Sequence, residues 1–310
     1  MSTPISGTHF GLTAGAYHAT IASVGASLRT LEHHGRPLIV PFDADEVRPA
    51  FRGATLAPWP NRVVDGRYTF AGAQQQLPLT EPARGHALHG LAVWLDFAAV
   101  DRTGSSVTMV ATIEAQDGYP HRVDVTVGYE LDDHGLHTTV TGTNTGTSAA
   151  PWGTGPHPYL VAGDGRLDEW TLGLPADTVL TVTADRLIPQ SLADVATETA
   201  GALDFREPRR IADTFIDHAF TGLRRDTDGR TSVSLRAPEG TGVEMTWDTA
   251  CPWVQIHTAD RDIPSLNRLG LAVEPMTCPP DAFNSGTDLT VLEPGASAAA
   301  SWTVRALAPA

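Results

Sequence analysis

The sequence predicts an all-β protein of large antiparallel sheets, for three reasons. Apolar and polar residues alternate with a period of two along much of the chain, as in strands that bury one face. Segments with helical periodicity are nearly absent. The 29 glycines and 23 prolines punctuate the chain at intervals typical of strands joined by turns.

The strands can be taken in chain order. Residues 22–28 are interpreted as a strand, and residues 66–72 as a strand bounded by turns. Residues 107–113 and 123–131 alternate almost completely. The turn-forming residues 132–135 follow, and the alternation then resumes, which predicts a β-hairpin.

The C-terminal third repeats this theme twice. Strands around residues 233–235 and 243–247 are joined by a turn at 238–242, and strands at 289–291 and 302–304 by a turn at 293–295. No linker or internal repeat divides the chain. We therefore expect a single domain over residues 1–310, built as a sandwich of extended sheets.

Composition excludes several classes of function. The 310 residues carry a formal net charge of −15, with a pI of about 5.1, which repels phosphate backbones and anionic membranes. We expect no nucleic-acid partner and no membrane partner. We also expect no secretion signal and no transmembrane helix, and two cysteines cannot build a disulfide framework. A cytoplasmic monomer or homodimer that binds a small molecule is the expectation.

Two distant segments are the best candidates for chemistry. Glu274 follows the apolar residues 270–273, so it is expected at the end of a buried strand, where desolvation raises the pKa of a carboxyl group. His157 lies between Pro156 and Pro158, which restrict its backbone. A histidine and a glutamate that share one pocket form an acid–base pair, suited to an uncharged, oxygen-rich substrate.

Other residues are candidates for binding that substrate. His86 and His89 lack a third ligand at metal spacing, so a hydrogen-bonding role is favoured and no metal or organic cofactor is expected. The planar guanidinium of Arg62 suits adjacent sugar hydroxyls, a carboxylate or a surface salt bridge. Trp59 is interpreted either as a stacking surface for a sugar or as a core residue.

Two further segments contribute candidates to a pocket wall. Asp217 lies between apolar residues, which favours a buried carboxylate that binds either hydroxyls or turn amides. Residues 253–258 alternate, which puts Gln255 and His257 on one face, directed either at the pocket or at solvent.

Five segments, in this order, resemble those of the aldose 1-epimerases, the galactose mutarotase-like proteins. They are Asn-Arg…Gly…Phe in 61–70, Leu-His-Gly in 88–90, His-Pro-Tyr in 157–159, Asp-His-Ala-Phe in 217–220, and Val-Glu-Pro in 273–275 with Pro-Asp-Ala-Phe-Asn in 280–284. Leu160 stands where the family usually has Phe. The five segments span most of the chain.

The resemblance implies a galactose mutarotase-like β-supersandwich and a mutarotase that interconverts the anomers of a free aldohexose. It implies that Glu274 is the general base and His157 the general acid. Arg62, His89 and Asp217 would bind sugar hydroxyls, and we add Trp59 and Gln255 to the binding set from the residue patterns.

Several alternatives stay open at this point. Segments 59–60 and 81–85 resemble a bacterial subgroup, some of whose members resemble proteins acting on sulfonated sugars, so a 6-sulfonate or 6-phosphate sugar is one alternative, with Arg62 or Arg84 meeting the anion. A glycoside hydrolase using Asp217 and Glu274 as paired carboxylates is a second. A non-catalytic sugar-binding protein is a third.

Overall fold

The structure, a computed structural model, describes residues 3–309 of the chain, with only the backbone at Ser265. Over these residues it has 27 strands, one short α-helix and five 3-10 helices. The strands are β1 (His9–Ala14), β2 (Tyr17–Ala22), β3 (Ser27–His33), β4 (Arg36–Pro37), β5 (Thr55–Leu56), β6 (Arg62–Val64), β7 (Arg67–Phe70), β8 (Ala73–Gln76), β9 (His86–Leu88), β10 (Ala98–Arg102), β11 (Ser106–Ile113), β12 (Val123–Asp132), β13 (Gly135–Asn144), β14 (Ala150–Trp152), β15 (Gly155–Pro156), β16 (Tyr159–Leu160), β17 (Thr171–Gly173), β18 (Ala176–Val182), β19 (Pro189–Asp194), β20 (Arg209–Arg210), β21 (Asp217–Leu223), β22 (Thr231–Arg236), β23 (Gly242–Trp247), β24 (Trp253–His257), β25 (Leu271–Met276), β26 (Thr290–Leu292) and β27 (Ser297–Leu307). The helix α1 is Ala282–Ser285, and the 3-10 helices are Pro49–Phe51, Ala92–Trp94, Leu167–Glu169, Glu198–Gly201 and Pro264–Leu266.

Three antiparallel sheets dominate the architecture. The largest has nine strands in the order β10-β11-β12-β13-β27-β23-β22-β17-β20. A six-stranded sheet has the order β16-β25-β24-β21-β18-β19, and a four-stranded sheet contains β1 to β4. The prediction of an all-β protein with large antiparallel sheets is therefore confirmed.

The apolar residues of the alternating pattern that predicted the central strands are the residues that pack in the core. In β12, Val123, Val125 and Val127 are fully buried, while the residues between them are partly exposed. Val127 lies opposite Val140 of β13 across the hairpin predicted at residues 132–135. Each side chain of this size stabilises the fold by roughly 1.5–3 kcal/mol when it leaves water.

One predicted strand in the N-terminal third is wrong. Residues 22–28 do not form a single strand, because β2 ends at Ala22 and β3 begins at Ser27. Between them Gly25 and Ala26 have positive φ angles of 70° and 41°, which a strand does not allow. The predicted strand at residues 66–72 is confirmed as β7 between two turns.

The last predicted hairpin is also wrong in its pairing. The turn at residues 293–295 is followed by β27, but β26 pairs with β14 instead of β27. Within β26, Val291 is exposed and Leu292 is buried, so the phase of the expected alternation is shifted by one residue. A strand of three residues is too short for the period of two to fix its phase.

Strand β25 holds Glu274 within the six-stranded sheet, not at the strand end as expected. The strand continues through Pro275, which lies opposite Val254 of β24. On its other side β25 pairs with β16 only as far as Ala272. Beyond Ala272, this edge of β25 has no paired strand among residues 3–309. Pro275 has no backbone N–H to donate, and on an unpaired edge no hydrogen bond is lost, so the strand accommodates the proline.

In the described range 3–309, none of the helices has the length and apolar character needed to span a bilayer.

We predict that Gly90→Ala destabilises the fold by about 2–4 kcal/mol. Gly90 has a φ of +77°, and a Cβ there would lie 2.1 Å from the backbone oxygen of Ala57. The control is Gly72→Ala, with a φ of +80° but no atom within 4 Å of the added Cβ, which should cost only about 1 kcal/mol. Urea denaturation measures the free energy of unfolding of both variants. An equal loss of stability in the two would contradict a destabilising contact between the added Cβ and the backbone of Ala57.

Candidate active site

A cavity of about 600 Å³ lies against one face of the six-stranded sheet. Its wall brings together polar side chains that are far apart in sequence. His257 also lines the cavity. Six of the seven residues predicted for the site line it, namely Arg62, His89, His157, Asp217, Gln255 and Glu274.

The register of three neighbouring strands builds the floor of this cavity. Gln255 of β24 lies directly opposite Glu274 of β25, and Asp217 of β21 lies opposite His257. Residues opposite each other in an antiparallel pair point to the same face of the sheet. Ile256, between the two cavity residues of β24, is fully buried on the other face.

Glu274 and His157 meet in the cavity. The Nε2 atom of His157 is 3.5 Å from Oε1 of Glu274, and both side chains are at most 5% exposed. The His157 N–H donates to the carbonyl of Ala54, and its own carbonyl accepts from the N–H of Gly53. The ring stacks on that of Tyr159 with centroids 5.0 Å apart. These contacts fix the imidazole against the carboxyl group.

Burial sets the protonation of this pair. It raises the pKa of Glu274 well above the ordinary value, an effect that the charge of Asp217 reinforces and that of Arg62 opposes. Burial also lowers the pKa of His157 well below the ordinary value, with a further contribution from His89. Both shifts favour an uncharged pair, in which Glu274 holds the proton and His157 is neutral. Neither Nδ1 of His157 nor Oε2 of Glu274 has a hydrogen-bond partner in the described structure.

His89 forms a second wall of the cavity. Its backbone has a φ of 65°, unusual for a residue other than glycine, and its Nδ1 lies 2.9 Å from the carbonyl oxygen of Pro60. The ring meets that of His157 edge-on, with centroids 4.9 Å apart. Burial lowers the pKa of His89 to about 4, so it is uncharged at neutral pH.

Arg62 enters the cavity from β6 with a partner that the sequence did not reveal. Its Nε and one terminal nitrogen donate to the two carboxylate oxygens of Glu81 at 2.8 and 3.0 Å. This pairing raises the pKa of Arg62 despite its burial. Glu81 also accepts from Arg84 at 2.8 Å. The fork geometry leaves the Nη1 side of Arg62 directed away from Glu81.

The Pro-Asp-Ala-Phe-Asn segment positions Arg62 rather than lining the cavity. The Asp281 N–H donates to the carbonyl of Arg62 at 2.7 Å, and its carboxylate accepts from the N–H of Val64 at 2.9 Å. Asn284 donates both to that carboxylate and to the carbonyl of Arg67. Asp281 thus fixes both ends of β6.

Asp217 and Gln255 form a hydrogen-bonded pair on the cavity floor. The Gln255 amide donates to Oδ1 of Asp217 at 2.7 Å. Burial acts to raise the pKa of Asp217, but the charges of His257 and Arg62 and the bond from Gln255 outweigh it, so the pKa is lowered. Asp217 is therefore an ionised acceptor next to a neutral acid–base pair.

Trp59 is not in the cavity, which corrects the expectation that it contributes to substrate binding. Its ring is 3% exposed and packs against Phe283 and Tyr119, with centroids 5.6 and 6.4 Å away. The aromatic surface that a sugar would need is covered by other rings. The alternative interpretation of Trp59 as a core residue fits this position.

His86 also lies away from the cavity. Its Nε2 lies 2.9 Å from the carbonyl oxygen of Arg186, and its Nδ1 accepts from the N–H of Asp65. Within residues 3–309 no group of three or more His, Cys, Asp or Glu side chains is arranged to hold a metal ion.

Sequence reasoning missed several residues of the cavity wall, among them Glu81, Phe51, Arg52 and Arg261. Glu81 lies between Thr80 and Pro82, and its neighbours in the sequence give no sign of a buried ion pair. Phe51 has a φ of 57° that turns its ring toward His89, and nothing in the local sequence indicates this.

A family model described as Aldose 1-epimerase matches residues 9–305 of the chain. The chain is 39% identical to the uncharacterized protein YihR of Escherichia coli strain K12 over 292 residues, which are 94% of this chain and 90% of that protein. It is 25% identical to the uncharacterized protein YphB of the same strain, over 96% of this chain and 98% of that protein.

Solved structures show the same fold. A GalM/aldose epimerase homologue from C. elegans superposes with a TM-score of 0.85 at 19% identity, covering 98% of this chain and 99% of that one. A galactose 1-epimerase from Lactobacillus acidophilus superposes with a TM-score of 0.80 at 19% identity, covering 96% and 94%. The fold predicted from the sequence motifs, the galactose mutarotase-like supersandwich, is therefore confirmed.

We predict that the free energy of unfolding falls as the pH is lowered from about 6.5 to 4, in part because of His89. The folded chain keeps His89 neutral to about pH 4, whereas the unfolded chain protonates it near 6.5. The contribution of His89 to the free energy of unfolding is therefore fully present above pH 6.5. It falls by about 3 kcal/mol as the pH is lowered toward the folded pKa of about 4.

His89→Gln should show a shallower loss over this range, measured by urea denaturation at a series of pH values. His18→Gln, at an exposed position on β2, is the control and should follow the wild type. Parallel profiles for His89→Gln and the wild type would contradict the assignment.

Proposed function

Because the chain belongs to the aldose 1-epimerase family, we propose that it interconverts the α and β anomers of a free aldohexose. The observation that carries this proposal is the distance of 3.5 Å between Nε2 of His157 and Oε1 of Glu274 inside one cavity. Acid–base catalysis needs a donor and an acceptor within reach of the same substrate. A cavity of about 600 Å³ accommodates one sugar ring.

In the proposed reaction the sugar binds with its anomeric hydroxyl against Glu274 and its ring oxygen against His157. The carboxylate takes the hydroxyl proton while the imidazolium gives a proton to the ring oxygen, and the bond between the anomeric carbon and the ring oxygen breaks. The free aldehyde rotates about the bond between its first two carbons. Reversal of the two transfers closes the ring on the other face.

The protonation of the pair supports this cycle. One proton is held by the two side chains, on His157 before ring opening and on Glu274 after it. Burial favours the uncharged arrangement, in which Glu274 holds the proton and His157 is neutral. Loss of a proton from the sugar hydroxyl to Glu274 therefore moves the pair toward the arrangement that its surroundings favour.

The remaining cavity residues are assigned to binding the sugar. Asp217 and the free oxygen of Gln255 accept hydrogen bonds from hydroxyl groups, and Arg62 and His89 contact the opposite side of the ring. The reaction is a proton transfer that free sugars undergo slowly in water. Positioned acid and base groups contribute about 10²–10⁴-fold, and this chemistry needs no cofactor.

A sugar with an anionic 6-substituent is the second candidate substrate. Arg62 and Arg84, the residues suggested for an anion by the sequence, both pair with Glu81. Arg52 and Arg261 also line the cavity, and in the described part of the chain neither has a carboxylate within 4.0 Å. This pair of unneutralised guanidinium groups favours a 6-sulfonate or 6-phosphate.

We expect Glu274→Gln to lower the rate of anomer exchange by at least about 100-fold while sugar binding stays within threefold of the wild type, because the amide cannot take the hydroxyl proton. Exchange spectroscopy by NMR measures the rate. Glu130→Gln, on the exposed side of β12, is the control and should retain the wild-type rate. A rate near wild type in Glu274→Gln would remove it as the base.

The substrate class is tested by an exchange screen over galactose, glucose, their 6-phosphates and a 6-sulfonate. If the second candidate is correct, kcat/KM is higher for a 6-substituted sugar than for its parent. Arg261→Gln should then lower kcat/KM more for the anionic sugar than for the neutral one. Equal losses on both would count against recognition of an anion.

A further inference from the structure

His257 is a polar residue of the cavity to which the proposed function gives no role. His257 lies two residues from Gln255 on β24 and lines the cavity. Its Nδ1 is buried and has no hydrogen-bond partner in the described structure. Leaving such an atom unpaired costs free energy, and a ligand in the adjoining cavity would supply a partner.

A carboxylate oxygen faces this nitrogen across a gap. Oδ2 of Asp217 is 3.7 Å from Nδ1 of His257, which is too long for a direct hydrogen bond. The other oxygen, Oδ1, accepts from Gln255 at 2.7 Å, and this bond fixes the orientation of the carboxylate. Because Asp217 is ionised, Oδ2 can only accept.

We propose that His257 is a further substrate-binding residue, which together with Asp217 holds one ring hydroxyl of the sugar. The hydroxyl donates to Oδ2 of Asp217, and its oxygen accepts from the Nδ1–H of His257. An oxygen at normal hydrogen-bond distance from both atoms fits a gap of 3.7 Å. This inference rests on the proposed function, since it takes the occupant of the cavity to be a sugar.

The strand register separates this hydroxyl from the anomeric one. Glu274 lies opposite Gln255, and His257 is the diagonal neighbour, about 7–8 Å from Glu274 between backbone positions. A hydroxyl held by His257 and Asp217 is therefore a different hydroxyl from the one that contacts Glu274. It sets the pose of the ring and selects for sugars that carry a hydroxyl at that carbon.

A site built to bond a hydroxyl rejects the analogue that lacks it, because both protein groups are then left unpaired. The test uses D-galactose and D-glucose, each with its 2-, 3-, 4- and 6-deoxy derivatives, and measures affinity by ligand-detected NMR titration. In each set, the wild type should bind one deoxy sugar roughly three- to tenfold more weakly than the parent sugar, because that derivative lacks the hydroxyl held by His257 and Asp217.

His257→Leu removes the hydrogen bond while keeping an apolar side chain of moderate size. Compared with the wild type, this variant should bind the parent sugar more weakly by a similar factor. It should bind that one deoxy sugar as tightly as the wild type does. For the other deoxy sugars its loss should equal the loss for the parent. His257→Gln, which retains a donor, should recover part of the affinity and provides a second variant if His257→Leu does not fold.

His18→Leu, at the exposed position on β2, is the remote control and should bind every sugar as the wild type does. The inference is overturned if His257→Leu binds all sugars as the wild type does, or if its loss is the same for every deoxy derivative. Affinity requires no turnover, so wild-type chain that binds with the expected pattern but does not exchange anomers contradicts the proposed function and supports His257. Wild-type chain that binds neither sugar set contradicts both.

Discussion

The burial of Glu274 against His157 is the constraint on which the rest of the site depends. Two ionisable groups 3.5 Å apart and nearly without solvent share one proton more readily than they carry separate charges. Transfer of an isolated charge into such surroundings costs several kcal/mol. The pair therefore has two accessible states that differ only in the position of one proton, and a substrate that offers one hydroxyl proton and one ring oxygen can exchange the two.

The surrounding backbone is shaped to hold these side chains in place. The floor is rigid, because the ladders between β21, β24 and β25 fix Asp217, Gln255 and Glu274 on one face. The loops that supply the other groups carry strain instead. His89 and Phe51, both in the cavity wall, have φ angles of 65° and 57°. Conformations of this kind cost about 1–3 kcal/mol each and occur where function requires a side chain in one direction.

Sequence reasoning worked where a residue's position follows from periodicity or from an ordered set of motifs. The alternation of β12 and β24 predicted both the core and the face that Gln255 and His257 share. It failed where the outcome depends on contacts between distant segments. Trp59 is covered by Phe283, more than two hundred residues away, and Glu81 is placed beside Arg62 by the pairing of β6 and β9. Neither contact leaves a local signal.

The most direct test of the account is a crystal structure of Glu274→Gln with an aldohexose bound. The account predicts the anomeric oxygen at about 3 Å from the side chain of residue 274 and the ring oxygen at about 3 Å from Nε2 of His157. A sugar bound outside this cavity, or with its anomeric carbon turned away from both side chains, would contradict it.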